Sequence, residues 1–294
     1  MLEVQAVSRS FGDRKALDEV SFTVRGGRMT GFVGGNGAGK TTAMRVILGV
    51  LSPDAGAVTL DGSPISALQR TRIGYMPEER GLYPKMKVSE QIVYLGRLHG
   101  MSTAGAKESA TTLLERLGLG GRMDDTVESL SLGNQQRAQI AAALVHNPEV
   151  LILDEPFSGL DPIAVETVSS VVKDYAASGA PVLFSSHQLD IVERLCDDLV
   201  VIADGRIRAH GSREGLREQH TSPRFELLVD GDAGWLRTEP GVTVVEFDGG
   251  YALFDVDDQA TAQRVLQRAI TTAPVLRFAP LTPTLSQIFK EVIQ

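Results

Sequence analysis

The segment that most constrains the fold is the glycine-rich run from Gly34 to Thr41, which has the form G-x-x-x-x-G-K-T. The apolar residues Met29 to Val33 precede it and predict a short strand, and Thr42 to Leu48 predict a helix. Glycines allow successive backbone N–H groups to turn toward one point, where a helix N-terminus adds partial positive charge. The sequence therefore predicts a phosphate-binding loop between a strand and a helix.

The residue types of this loop suit a nucleoside triphosphate. The Lys40 ammonium would pair with the β- and γ-phosphates, and the Thr41 hydroxyl would bind Mg²⁺. The predicted nucleotide-binding residues of the loop are Gly34, Asn36, Gly37, Ala38, Gly39, Lys40, Thr41 and Thr42. A glycine-rich turn with a chance lysine is the alternative, and the strand–loop–helix context argues against it. The loop alone leaves kinases, GTPases, helicases and transport ATPases open.

Composition narrows the class of protein. The chain has 294 residues with 43% hydrophobic content, enough for a main domain and a smaller one. A net charge of -8 argues against a broad nucleic-acid-binding surface, which needs clustered basic residues. The one cysteine, Cys196, cannot form an internal disulfide, as is typical of a reducing compartment. The N-terminal segment lacks a signal-peptide pattern, and no apolar run reaches the ~18 residues of a membrane span.

Hydrophobic periodicity predicts an α/β fold with two additions. Residues 1 to about 60 are strand-rich, and from about residue 135 strands alternate with helices, which predicts a parallel sheet covered on both faces. A helical insertion interrupts this core at about residues 80–134. A polar segment near 212–223 separates the P-loop core, residues 1–215, from a small α+β C-terminal domain, residues 222–294.

A second strand brings acidic residues toward the phosphate loop. The apolar run Val150 to Leu153 is followed directly by Asp154 and Glu155. Because the carboxyl ends of parallel strands meet at one edge of a sheet, Asp154 would reach Mg²⁺ there. Glu155 is a candidate general base for a water that attacks the γ-phosphate. Capping of the next helix is the alternative role for two acids after a strand.

The segment Ser131-Leu132-Gly133-Asn134, which precedes a predicted helix at Gln135, resembles the signature loop of ATP-binding cassette (ABC) ATPases. Other motifs follow in the order of that family between residue 2 and about 212. They are Phe11 as the aromatic residue that stacks on adenine, the loop Ser158 to Asp161, with Asp161 in the nucleotide site, and His187 as the switch histidine. His187 could otherwise be an ordinary helix-start residue.

This resemblance implies a head-to-tail dimer. Each ATP would be held by the phosphate loop of one subunit and by Ser131, Gly133 and Asn134 of the other. His187 would contact the γ-phosphate and help Glu155 hold the attacking water. The signature loop departs from the family pattern, because Leu132 stands where glycine is usual and Asn134 where glutamine is usual.

A further departure concerns the metal. Glu78 occupies the position of a glutamine that contacts Mg²⁺ and water in the family. With Thr41 and Asp154 it completes the predicted set of metal ligands. Both side-chain types offer an oxygen, but Glu78 adds a negative charge near the triphosphate.

Softer patterns indicate a branch of the family. The segment Glu78 to Val88 and the C-terminal Leu285 to Phe289 are similar to sodium- and drug-export ATPases. The resemblance implies the ATPase subunit of an exporter, with a second ATPase copy and a separate integral membrane permease that docks near Tyr83 to Gly100. Such a subunit would be cytoplasmic, held at the inner face of the membrane by the permease. The role of the C-terminal domain is left open: it could stabilise the chain, form a dimerisation surface or regulate the ATPase.

Two alternatives remain for the function. A soluble ABC-type ATPase that acts on DNA or ribosomes is one, although the coiled-coil insertions, zinc sites or tandem cassettes of such proteins are missing from the sequence and no nucleic-acid partner is expected. A small-molecule P-loop kinase is the other, and it leaves Ser131, Gly133 and His187 without a role.

Overall fold

The computed structural model describes residues 1–79, 81–220, 223–281 and 284–293. Contacts between residues divide the chain into two units. One comprises Met1–Arg213 together with the C-terminal residues from Val292, and the other comprises Glu214–Glu291. Some boundary positions of the sequence analysis lie outside the described residues: Arg80, Thr221, Ser222 and Gln294.

In chain order, the strands and helices of the first unit are β1 (Leu2–Phe11), β2 (Arg14–Val24), β3 (Met29–Val33), α1 (Lys40–Ile47), β4 (Ala55–Leu60), β5 (Ser63–Pro64), α2 (Ala67–Arg70), β6 (Ile73–Met76), α3 (Val88–Leu98), α4 (Thr103–Arg116), α5 (Leu132–Leu144), β7 (Val150–Leu153), α6 (Pro162–Ala177), β8 (Val182–Ser186), α7 (Leu189–Leu195), β9 (Asp198–Ala203) and β10 (Arg206–Ser212). An antiparallel sheet has the strand order β2-β1-β4-β5, and a second sheet has the order β10-β9-β3-β8-β7-β6.

The second sheet is parallel from β9 to β6, but its edge strand β10 runs antiparallel to β9. The predicted parallel sheet therefore comprises five of the six strands described for this sheet, and β10 is the exception. The reason is a two-residue turn, because Asp204 and Gly205 both have positive φ angles, 51° and 72°. Such a turn joins antiparallel neighbours, whereas a parallel connection needs a crossover.

The parallel strands bring the functional loops to one edge of the sheet. Strands β3, β7 and β8 are buried along their whole length. Val33 is paired with Ser186, and Leu153 is paired with both Met76 and Phe184. The residues that follow these strands therefore emerge side by side at their carboxyl ends.

Helix α5 begins earlier than the sequence indicates, at Leu132 rather than Gln135. Ser131 is its N-cap, and the Ser131 hydroxyl accepts a hydrogen bond from the Asn134 N–H at 3.4 Å. A serine before a helix satisfies an otherwise unpaired N–H, which offsets the low helix propensity of Gly133. Helices α3, α4 and α5 contact one another and form the helical subdomain.

The second unit is a small α+β structure. Its elements are α8 (Arg213–His220), β11 (Arg224–Val229), β12 (Val242–Asp248), β13 (Tyr251–Val256), α9 (Gln259–Thr272), β14 (Val275–Pro280) and α10 (Leu285–Ile293). The strands form an antiparallel sheet of order β12-β13-β11-β14. Alternate residues of β11 and β13 are buried and pack with α9 around Phe254, as period-2 patterning requires.

Candidate functional site

The glycine-rich loop encloses the ammonium group of a buried lysine. Lys40 Nζ donates hydrogen bonds to the carbonyl oxygens of Gly34 at 2.6 Å and Gly35 at 3.2 Å. Gly37 and Gly39 have φ angles of 75° and 113°, a region that glycine adopts without strain. Among the described residues, no carboxylate lies within ion-pair distance of Lys40. Its charge is therefore available to a bound anion.

The loop forms one wall of a pocket of about 240 Å³. Its described lining residues are Gly35, Asn36, Gly37, Ala38, Gly39, Lys40, Thr41, Thr42, Glu78, Asp154 and Glu155. The structure thus brings together the predicted phosphate-binding residues and the predicted acidic ones. Gly34 does not line the pocket, but its carbonyl oxygen accepts the hydrogen bond from Lys40. Acidic side chains outnumber basic ones in this lining.

Asp154 is held at the end of β7 by two hydroxyl groups. Its Oδ2 accepts a hydrogen bond from Thr41 Oγ1 at 3.0 Å, and its Oδ1 accepts one from Ser185 Oγ at 2.6 Å. Asp154 is only 1% exposed. The Thr41 hydroxyl and the Asp154 carboxylate therefore present oxygen atoms at one point, and oxygen is the ligand that Mg²⁺ prefers.

The backbone of Glu155 is fixed from both sides. Its N–H donates to Ser185 Oγ at 2.8 Å, and its carbonyl oxygen accepts from Gln136 Nε2 at 2.9 Å. Its φ angle of 52° lies in the left-handed region, which is strained for a non-glycine residue. These bonds hold the backbone in that conformation and set the direction of the carboxylate.

The Glu155 carboxylate meets the predicted switch histidine. His187 Nδ1 lies 2.9 Å from Glu155 Oε2, so the ring donates a hydrogen bond to the carboxylate when that nitrogen carries the proton. The His187 side chain is 53% exposed, whereas that of Glu155 is 10% exposed. His187 therefore lies on the solvent side of the Glu155 carboxylate.

The remaining predicted residues lie outside this phosphate pocket. Phe11 ends β1 and is 52% exposed. Ser131 and Gly133 lie at the exposed start of α5, and the Asn134 side chain accepts a hydrogen bond from Arg137. Asp161 caps α6, because its Oδ1 accepts from the Ala164 N–H at 2.8 Å. In a single chain the signature loop is not part of the pocket.

Two residues that position Glu155 are not among the site residues predicted from the sequence. Ser185 lies in a buried strand and Gln136 lies within a helix, where each resembles ordinary structural sequence. A buried serine at the end of an apolar strand was the available signal for Ser185. Gln136 carried no such signal, because its partner is 19 residues away.

Burial raises the pKa values of two other side chains in this unit. Burial, together with the nearby charge of Asp154, raises the pKa of Tyr75 to about 12. Burial also raises the pKa of the Cys196 thiol to about 12, so this thiol stays protonated at neutral pH. Cys196 is 1% exposed, and its raised pKa is consistent with a packed, unreactive thiol.

Comparison with known proteins identifies the family. Residues 17–158 match the ABC transporter family, and residues 211–293 match the C-terminal domain of ATP-binding protein DrrA1-3-like. The ABC transporter ATP-binding protein YhaQ of Bacillus subtilis (strain 168) is 37% identical over 293 residues, covering 100% of this chain and 98% of the relative. The Nod factor export ATP-binding protein I of Rhizobium sp. (strain N33) is 39% identical over 253 residues, covering 84% and 83%.

A solved structure has the same fold. The ATP-binding subunit of an ABC transporter superposes with a TM-score of 0.69 at 32% identity, covering 74% of this chain and 92% of the other. The chain belongs to the ATP-binding, ATP-hydrolysing subunits of ABC transporters. Within the part of the chain that the structure describes, no helix is long and apolar enough to cross a membrane.

Proposed function

We propose that this chain powers export through a separate integral membrane permease, as a dimer of two copies at the inner face of the membrane. The observation that carries the proposal is a half-complete ATP site, with the phosphate loop, Asp154 and Glu155 in one pocket and the signature loop outside it. Export is supported by a relative named for Nod factor export. The cassette would span residues 1–215, and residues 222–294 would form an accessory domain.

ATP binding begins at the phosphate loop. The Lys40 ammonium pairs with the β- and γ-phosphates, since no described carboxylate neutralises it. The oxygens of Thr41, Asp154 and Glu78 fit Mg²⁺, because hydroxyl and carboxylate groups already converge there. When bound, the ion neutralises charge on the phosphate oxygens.

Hydrolysis depends on Glu155. Its carboxylate accepts a proton from the attacking water, and its fixed backbone keeps the oxygen aimed into the pocket. His187 bonds to the same carboxylate and orients it beside the γ-phosphate. Glu155 acts as the base, and His187 positions it.

The second copy completes the site. Ser131, Gly133 and Asn134 begin α5, and an exposed helix N-terminus attracts a phosphate group. Facing a partner copy, they would bind the γ-phosphate held by that copy's loop. Phe11 would stack on the adenine. Asp161, which caps α6, would lie in the nucleotide site beside the second copy.

A test of the transport role is the identity of the bound partner. The tagged chain is purified from membranes of its own cells, solubilised in mild detergent, and the associated proteins are identified by mass spectrometry. We expect an integral membrane protein that stimulates ATP hydrolysis when reconstituted with the chain. Enrichment of DNA or ribosomes, with no membrane protein, would contradict the proposal.

Removing the charge of Glu78 tests the metal assignment. We expect Glu78→Gln to raise the Mg²⁺ concentration for half-maximal ATP hydrolysis by about fivefold, because opposite unit charges about 4 Å apart attract each other by about 1 kcal/mol in water. Glu79→Gln is the matched control, because it removes the same charge from the adjacent residue, which does not line the pocket. Identical Mg²⁺ titrations for the two variants would mean that Glu78 points away from the metal.

A further inference from the structure

Arg14 connects the hairpin that carries Phe11 to the phosphate loop. It begins β2 and is paired with Phe11 across the β1–β2 hairpin. Its Nη2 donates a hydrogen bond to the carbonyl oxygen of Gly37 at 3.1 Å. The guanidinium therefore lies between the aromatic ring and the loop that would hold the phosphates.

The neighbouring basic residues differ from Arg14 in their partners. Arg9 is paired with Asp54 at 2.7 Å, and Lys15 is paired with Asp18 at 2.9 Å. Among the described residues, no carboxylate lies within ion-pair distance of Arg14. A guanidinium has five N–H donors, so the Gly37 carbonyl leaves donors of Arg14 available.

The charge of the pocket favours a cation at this position. Lys40 is outnumbered by the carboxylates of Glu78, Asp154 and Glu155 in the described lining. A magnesium triphosphate is itself an anion, so a further positive charge beside this acidic pocket favours its binding. Arg14 is exposed at the loop and can supply that charge.

The surroundings of Phe11 define which part of the nucleotide Arg14 reaches. The Arg9 guanidinium lies 5.2 Å from the centre of the Phe11 ring and covers one face, which leaves the other face for a base. The β-phosphate belongs to the loop that Lys40 and Gly37 form. The ribose and the α-phosphate of a bound nucleotide would lie between Phe11 and this loop.

We propose that Arg14 binds the ribose–α-phosphate portion of the nucleotide, so that it fixes the distance between the base on Phe11 and the phosphates in the loop. This inference rests on the proposed function, since that assigns the base to Phe11. The guanidinium fork suits a phosphate oxygen and a ribose hydroxyl together, which a lysine ammonium does not match.

The experiment compares Arg14→Ala with Lys15→Ala, which removes the same charge from the adjacent residue of β2. Calorimetric titration is expected to give binding of both ADP and ATP about tenfold weaker for Arg14→Ala, because both contain the α-phosphate. In steady-state hydrolysis, Arg14→Ala is expected to raise KM and to leave kcat unchanged. The KM of Arg14→Lys is expected to lie between those of Arg14→Ala and the parent chain. Lys15→Ala binds both nucleotides as the parent chain does.

Inorganic pyrophosphate distinguishes nucleotide contact from a structural role. If Arg14 only shaped the loop through Gly37, Arg14→Ala would weaken inhibition by pyrophosphate as much as binding of ADP. We expect pyrophosphate inhibition to be unchanged in this variant. ADP affinity equal to that of Lys15→Ala, or a matching loss for pyrophosphate, would overturn the inference. A parent chain that neither binds nor hydrolyses ATP would instead contradict the proposed function.

Discussion

The Glu155→Gln variant is expected to hydrolyse ATP about a thousandfold more slowly than the parent chain and to bind ATP with unchanged affinity. The amide keeps the size of the side chain and its hydrogen bond to His187, but it cannot accept a proton from water. The backbone bonds from Ser185 and Gln136 do not involve the carboxylate, so the fold of the loop is retained.

Phosphate release under saturating Mg²⁺ and ATP measures this effect, and equilibrium dialysis measures binding. Glu166→Gln is the matched control, because Glu166 is an exposed residue of α6 outside the described phosphate pocket. Parental turnover by Glu155→Gln would show that another group activates the water.

The Gly133→Asp variant is expected to lose about 99% of ATP hydrolysis, a loss of about 3 kcal/mol in transition-state stabilisation, while one chain still binds ATP normally. In the proposed dimer the new carboxylate meets the γ-phosphate of the partner's nucleotide and repels it. The fold is retained, because an acidic residue in the first turn of α5 is favourable and a Cβ there would lie 3.4 Å from Leu160, an ordinary contact.

Gly121→Asp is the matched control for the signature loop. It adds the same charge to the helical subdomain at a position where a Cβ meets nothing within 4 Å. Hydrolysis is measured as a function of protein concentration, and binding is measured at low concentration where one chain is sufficient. Equal hydrolysis by the two variants would remove the signature loop from the catalytic site.

Much of the pocket could be predicted because local patterns and a rule of sheet geometry determine it. The loop around Lys40 is contiguous in sequence, and parallel strands must bring Asp154 and Glu155 to the same edge. The supports of Glu155 could not be predicted, since Ser185 and Gln136 meet it only through tertiary packing.

Errors in the predicted elements have local causes. Helix α5 begins before the predicted Gln135, because Ser131 caps it although Leu132 and Gly133 resemble a turn. The antiparallel direction of β10 could not be predicted from its own residues, because a short alternating pattern does not distinguish a hairpin from a crossover. The Asp204–Gly205 pair was the available signal.

The central claim is that two copies share each ATP. Sedimentation equilibrium of the Glu155→Gln variant tests it directly, because bound ATP then persists. With saturating Mg²⁺ and ATP we predict a mass twice the 31.6 kDa of one chain, and a single-chain mass when nucleotide is removed or when Gly133→Asp is added. A single-chain mass at full ATP occupancy would contradict the account.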